Sequence, residues 1–135
     1  MRNLVVHTDG GSRGNPGPAA IGFVISEGET DIYAHGEVIG LKTNNEAEYT
    51  ALIKALAYVL ENFGKELEIT CVADSELMVK QLNGEYKVRH DTLIPLYERV
   101  IELKMNFVRT TFTHVRRESN KLADKLVNNA LDNKL

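Results

Sequence analysis

The chain has 135 residues, 43% of them hydrophobic and 26% charged, with a formal net charge of −3 at pH 7. That length suits one domain, residues 1–135, with a single full core. No apolar run approaches the ~20 residues of a membrane-spanning helix, and Cys71, the lone cysteine, excludes an internal disulfide and fits a reducing cytoplasm.

Met1-Arg2-Asn3 leads without a signal-peptide pattern into a strand over 3–9, Leu4-Val5-Val6-His7-Thr8-Asp9 at its heart. Gly10 to Pro18 reads as a turn rich in glycine and proline. Residues 19–26 form a second strand, Glu27-Gly28-Glu29 a hairpin turn, and residues 30–40 a third strand. Asn44 or Asn45 can cap a helix over 46–62 that ends near Gly64. Residues 67–73 give a fourth strand and 75–82 a short helix stopped by Asn83-Gly84. A loop over 85–90 precedes a helix over 92–105, with Pro95 tolerated in its first turn. A fifth strand over 108–115 and a last helix over 119–132 complete the order βββαβααβα. Three strands in succession form an antiparallel meander, and the strands that follow helices return parallel. The fold class is therefore α/β, a five-stranded mixed sheet flanked by helices.

Four carboxylates need a reason for their positions. Asp9 and Asp74 each end an apolar strand run, and they emerge together if the fourth strand lies parallel beside the first. Glu48 shares one helical face with Leu52, Ala55, Leu56 and Val59, whereas Glu46 points elsewhere and reads as solvent surface. Asp124 borders a stripe of Leu122, Ala123, Leu126, Val127, Ala130 and Leu131 in the last helix. Three have an ordinary local explanation, turn capping for Asp9, helix capping for Asp74 and the helix dipole for Asp124, whereas Glu48 at the end of a buried stripe needs a partner. Brought together, the four would repel one another, and hard divalent cations with oxygen ligands are the usual remedy. The acidic net charge counts against nucleic-acid binding, but Lys80, Lys87, Arg89, His90, Arg99, Lys104, Arg109, Arg116, Arg117 and Lys121 concentrate cations in the second half.

The motifs around these residues resemble those of type 1 ribonuclease H. Thr8-Asp9-Gly10-Gly11-Ser12-Arg13-Gly14-Asn15-Pro16-Gly17-Pro18 is similar to that family's first motif, and Thr43-Asn44-Asn45-Glu46-Ala47-Glu48 to its second. Asp74-Ser75-Glu76 resembles the third and Asn120-Lys121-Leu122-Ala123-Asp124 the fourth, so the match spans residues 4–131. The resemblance implies an endonuclease that cuts the RNA strand of RNA–DNA hybrids with two Mg²⁺ ions, Mn²⁺ being a substitute, and leaves 5′-phosphate and 3′-hydroxyl ends. It implies that Asp9 bridges both ions, that Glu48 and Asp74 hold the one nearer the leaving oxygen, and that Asp124 helps hold the other. Gly10, Gly11, Ser12, Arg13, Asn15, Asn44, Asn45 and Glu76 take positions that contact RNA 2′-hydroxyls or lie beside those contacts, and Thr43 one that holds a DNA-strand phosphate. A monomer without a membrane partner is expected.

Two departures stand out. Relatives carry a histidine in a mobile loop before the last helix; here the connection is short, and His114, Arg116, Arg117 and Glu118 are the candidates to act near the scissile phosphate. His114 fits the end of the fifth strand better than a loop. The family's long basic protrusion is missing, since residues 81–90 pass directly to the next helix. Lys80, Lys87, Arg89 and Arg13 remain as phosphate contacts, so hybrid binding is expected to be weak and salt-sensitive. The alternatives are another nuclease of the same fold, a non-catalytic nucleic-acid-binding module, and a structural domain whose acids are fortuitous.

Overall fold

The computed structural model describes residues 1–134. Alternating apolar side chains in β1 (Arg2–Ser12), β2 (Gly17–Glu27) and β4 (Leu67–Ala73) put Leu4, Val6, Ile21, Phe23, Ile25, Ile69 and Cys71 in one buried layer. The helix α1 (Asn44–Phe63) covers that layer with Leu52, Ala55, Leu56 and Val59, all at most 1% exposed. Burying each larger aliphatic side chain contributes roughly 1.5–3 kcal/mol, so this helix–sheet contact carries much of the fold's stability. The helices α2 (Glu76–Leu82) and α3 (Ile94–Lys104) extend the same layer with Met78, Val79, Leu82, Val100 and Leu103.

The sheet order is β3-β2-β1-β4-β5, with β3 (Thr30–Lys42) and β5 (Arg109–His114) at the edges. β1 pairs antiparallel with β2 and parallel with β4, β2 antiparallel with β3, and β4 parallel with β5. The expected mixed sheet is thus present, with its meander and its two parallel crossovers. The helix α4 (Lys121–Leu131) packs on the opposite face, where Val127 and Ala130 meet Ala20. No helix among the described residues is long and apolar enough to cross a membrane.

Four details differ from the sequence reading. β1 does not stop at Asp9: Gly10, Gly11 and Ser12 pair with Ile21, Ala20 and Ala19, and the turn shrinks to residues 13–16. Glycine serves there for close approach, because a Cβ on Gly10 would sit 2.3 Å from the Ala47 carbonyl of α1. Thr43, not Asn44 or Asn45, caps α1: its hydroxyl accepts from Glu46 N while the Glu46 carboxylate accepts from Thr43 N, a reciprocal pair that makes Glu46 structural. Residues 117–119 form a separate 3-10 turn, so α4 begins at Lys121. Leu122 is 44% exposed rather than buried, since α4 turns Ala123 and Val127 to the sheet.

Candidate active site

The sheet brings the acids together. Thr8 of β1 pairs with Ala73, the last residue of β4, so Asp9 and Asp74 follow that rung side by side. Glu48 approaches from the first turns of α1, where its Oε1 accepts from the main-chain N–H of Gly10 at 2.9 Å. Carboxylate oxygens of Asp9, Glu48 and Asp74 all lie within 4.8 Å of one another. Asp124, from the first turn of α4 on the other face, reaches hydrogen-bonding range of Asp9. These four line an open cleft of about 530 Å³ with Gly10, Gly11, Ser12, Arg13, Asn44, Arg117, Val127, Asn128 and Leu131.

The electrostatics of the cluster call for a countercharge. Burial, then the charges of Asp74 and Asp124, push the Asp9 carboxyl from 3.8 up to about 8, against the opposing Gly10 N–H. Glu48 is raised for the same reasons, burial first and then Asp9 and Asp74. The buried Oδ2 of Asp74 has no hydrogen-bond donor. Three crowded carboxylates, one with an unpartnered buried oxygen and none joined by a cysteine or histidine, suit a hard divalent cation. The buried Cys71 thiol is pushed up to about 12 by desolvation, which leaves it inert as a nucleophile or ligand.

The turn over residues 13–16 is tied to the start of α1. Ser12 N donates to Asn44 Oδ1 at 2.8 Å and Asn44 N donates to Asn15 Oδ1 at 3.1 Å. Arg13 N closes the turn onto Pro18 O, and the Arg13 guanidinium pairs with Asp132 just past α4. Asn15, Thr43, Asn45 and Glu76 lie outside the cleft lining; Glu76 is exposed and pairs with Lys80 at 3.3 Å. Of the four auxiliary candidates only Arg117 lines the cleft, whereas His114 ends β5 and Arg116 and Glu118 are exposed beside it. Asn128 was missed by sequence reasoning. Its spacing of four from Asp124, on the same helical face, was the available signal, and its Nδ2 donates to Asp124 O at 3.1 Å.

A family model described as reverse transcriptase-like matches residues 7–130. Ribonuclease HI of Halobacterium salinarum is 46% identical over 125 residues, which cover 92% of this chain and 62% of that protein. The crystal structure of RNase H1 from Halobacterium salinarum NRC-1 superposes with a TM-score of 0.92 at 42% identity, covering 97% of this chain and 98% of that one. The chain belongs to the type 1 ribonuclease H family. A second member of known structure, LC11-RNase H1 in complex with an RNA/DNA hybrid, gives a TM-score of 0.91 at 42% identity over 96% of this chain and 97% of that one. As a short-form type 1 ribonuclease H domain, the molecule joins α2 to α3 by residues 83–93 alone, with no protruding helix between them.

Proposed function

We propose that the chain is an endoribonuclease that hydrolyses the RNA strand of RNA–DNA hybrids, acting as a cytoplasmic monomer. The observation that carries this reading is the Asp9–Glu48–Asp74 cluster in a cleft bordered by hydrogen-bonding groups of the β1–β2 turn. Asp9, Glu48, Asp74 and Asp124 are the catalytic carboxylates: they would hold two ions, Glu48 and Asp74 serving one, Asp124 the other and Asp9 both. Two Mg²⁺ ions there, or Mn²⁺ in their place, supply charge neutralisation at the scissile phosphate and an acidified water. The water oxygen would bond to phosphorus as it gives up a proton, the P–O3′ bond would break, the leaving O3′ would take up a proton, and the products would carry 5′-phosphate and 3′-hydroxyl ends.

The chain's own groups choose the strand. A 2′-hydroxyl distinguishes RNA from DNA and both donates and accepts. Asn44 and Asn15 have committed their amide oxygens within the turn, which leaves each Nδ2 to donate to a sugar oxygen. Asn45, Glu76 and the backbone of Gly10, Gly11, Ser12 and Arg13 add neighbouring contacts. Thr43 accepts its capping bond and keeps a hydroxyl proton for a DNA-strand phosphate.

Arg117 takes the part of the family's loop histidine, because it alone of the four candidates lines the cleft that holds the carboxylates. Arg117→Ala is expected to lower kcat roughly a hundred- to a thousandfold, the range for losing one donor to a charged transition state. His114→Ala is expected to stay within twofold. A large fall for His114→Ala with little for Arg117→Ala in single-turnover assays would reverse the assignment.

The reading is tested by giving the protein strand-labelled RNA–DNA hybrid, duplex DNA, a four-way DNA junction and duplex RNA, with binding followed in parallel. The expected result is cutting of the hybrid's RNA strand, with the two DNA substrates intact. Cleavage of the junction would favour another nuclease of the fold; hybrid binding without cutting would favour a binding module. With only about four phosphate contacts, affinity is expected to fall roughly fifty- to a hundred-and-fiftyfold between 50 and 200 mM salt. Tight binding indifferent to salt would contradict the contact set.

A further inference from the structure

Asn120 stands where α4 begins, and an asparagine there would ordinarily cap the helix with its side chain. It makes no such bond. Its amide instead turns inward, 2% exposed, and donates from Nδ2 to the main-chain oxygen of Thr8 at 2.8 Å, across 112 residues of sequence. Thr8 precedes Asp9, and its β4 partner Ala73 is the last residue of that strand, so the side chain engages β1 where the ladder on that side ends. The backbone of Asn120 makes two further ties: its carbonyl accepts from Asp124 N at 3.1 Å, and its N–H donates to Arg117 O at 2.9 Å. One residue therefore fastens Asp124 and Arg117 to the strand that carries Asp9.

We propose that Asn120 is a positioning residue that sets the separation of Asp9 and Asp124, and hence the ion site those two share, while the Asp9–Glu48–Asp74 cluster is held independently. The second half follows from the connections. Asp9 and Asp74 are registered by the β1–β4 ladder and Glu48 by the Gly10 N–H, none of which involves α4. Asp124 has only α4 to carry it, and α4 meets the sheet through Val127 and Ala130 at Ala20 and through Leu126 and its own backbone at Gly22 and Gly36. These contacts hold the helix against the sheet, and the buried Asn120 bond fixes its N-terminal end, where Asp124 sits. The cap bond that the side chain forgoes is exchanged for this tie. The role rests on the ribonuclease H reading for its catalytic consequence, but not for its metal-binding consequence.

The discriminating variant is Asn120→Ser. Serine can cap α4 through its own hydroxyl, which protects the helix, yet it is too short to reach the Thr8 carbonyl. Asn120→Gln, which keeps an amide donor, serves as the conservative partner. Mn²⁺ titration by calorimetry and electron paramagnetic resonance is the readout independent of activity, with Asp124→Asn and Glu48→Gln as references. Asn120→Ser is expected to reproduce the Asp124→Asn isotherm, with the ion that depends on Asp124 weakened fivefold or more and the one that depends on Glu48 within twofold. In cleavage assays kcat is expected to fall tenfold or more and the Mg²⁺ concentration for half-maximal rate to rise, with KM for the hybrid within twofold, and Asn120→Gln to recover part of the loss. A folded Asn120→Ser protein whose Mn²⁺ isotherm matches the parent would overturn the proposal, whatever its activity. If the parent fails to cut hybrids while the isotherms behave as described, the ribonuclease reading falls and the positioning role stands.

Discussion

Asp9→Asn is expected to reduce cleavage of hybrid by at least about a thousandfold while making the metal-free protein more stable. Asp9 is the one carboxylate in contact with both groups of acids, Glu48 and Asp74 on one side and Asp124 on the other. Replacing a charged ligand by an amide weakens the hold on every ion that Asp9 shares, and losing one part of a catalytic unit costs nearly as much as losing the unit. The stability gain follows from the raised pKa. A carboxyl near 8 in the folded chain and near 3.8 in the unfolded chain keeps a proton on folding that the unfolded chain releases. The unfolded state therefore binds fewer protons throughout that interval, and stability falls as pH rises from about 4 to about 8. Among the described residues no cation pairs with Asp9 to counter this in the absence of metal. In EDTA at pH 7.5, Asp9→Asn should gain roughly 1–3 kcal/mol, a rise in Tm of several degrees. The gain should shrink toward pH 4, and in the parent it should shrink when Mg²⁺ is added. A variant less stable than the parent in EDTA at pH 7.5 would mean that Asp9 is not held against repulsion.

Gly10→Ala is expected to be the most damaging substitution of a residue that carries no functional group. A Cβ at this position would lie 2.3 Å from the carbonyl carbon and oxygen of Ala47 and 2.5 Å from the nitrogen of Glu48. These are helix backbone atoms, so no side-chain rotation relieves the clash, and α1 must back away from β1. The cost should be roughly 2–4 kcal/mol. Activity should fall further than stability alone explains, because the displaced segment is the one that carries Glu48. Gly22 makes the matching contact on the other face, where a Cβ would meet Ala123 O at 2.6 Å and the Leu126 side chain at 2.8 Å. Gly22→Ala should therefore push α4 and Asp124 outward. Thermal unfolding and the metal isotherms of the two variants separate the effects, Gly10→Ala disturbing the Glu48-dependent ion and Gly22→Ala the Asp124-dependent one. Normal metal binding in a folded Gly10→Ala protein would contradict the claim that this glycine lets α1 deliver its carboxylate.

These glycines also explain where the sequence was legible and where it was not. Periodicity located every strand and long helix, and β4 was bounded at both ends, because burial on one face leaves a pattern that tertiary contacts do not alter. Glu48 stood out as an acid on a stripe whose other members are all buried. Gly10 and Gly11 misled, since glycine for a turn and glycine for a close helix approach look the same in one dimension. Choosing Asn44 or Asn45 over Thr43 as the cap failed for a related reason: all three can cap, and only the reach of Glu46 back to Thr43 N decides among them. Asn120 fell inside the expected last helix, and its bond to Thr8 depends on a contact between chain segments that no local pattern encodes. The candidates before α4 could be separated only by the 3-10 turn, which directs Arg117 into the cleft and leaves Arg116 and Glu118 outside.

The most direct measurement is cleavage of an RNA–DNA hybrid labelled at one end of the RNA, followed in Mg²⁺, after EDTA, and after Mg²⁺ is restored. The account predicts internal cuts confined to the RNA, abolished by EDTA and recovered with added metal, with 3′-hydroxyl ends on the upstream fragments. Cutting that persists in EDTA, or none from folded protein in either Mg²⁺ or Mn²⁺, would contradict a metal-dependent ribonuclease H site built on Asp9, Glu48, Asp74 and Asp124.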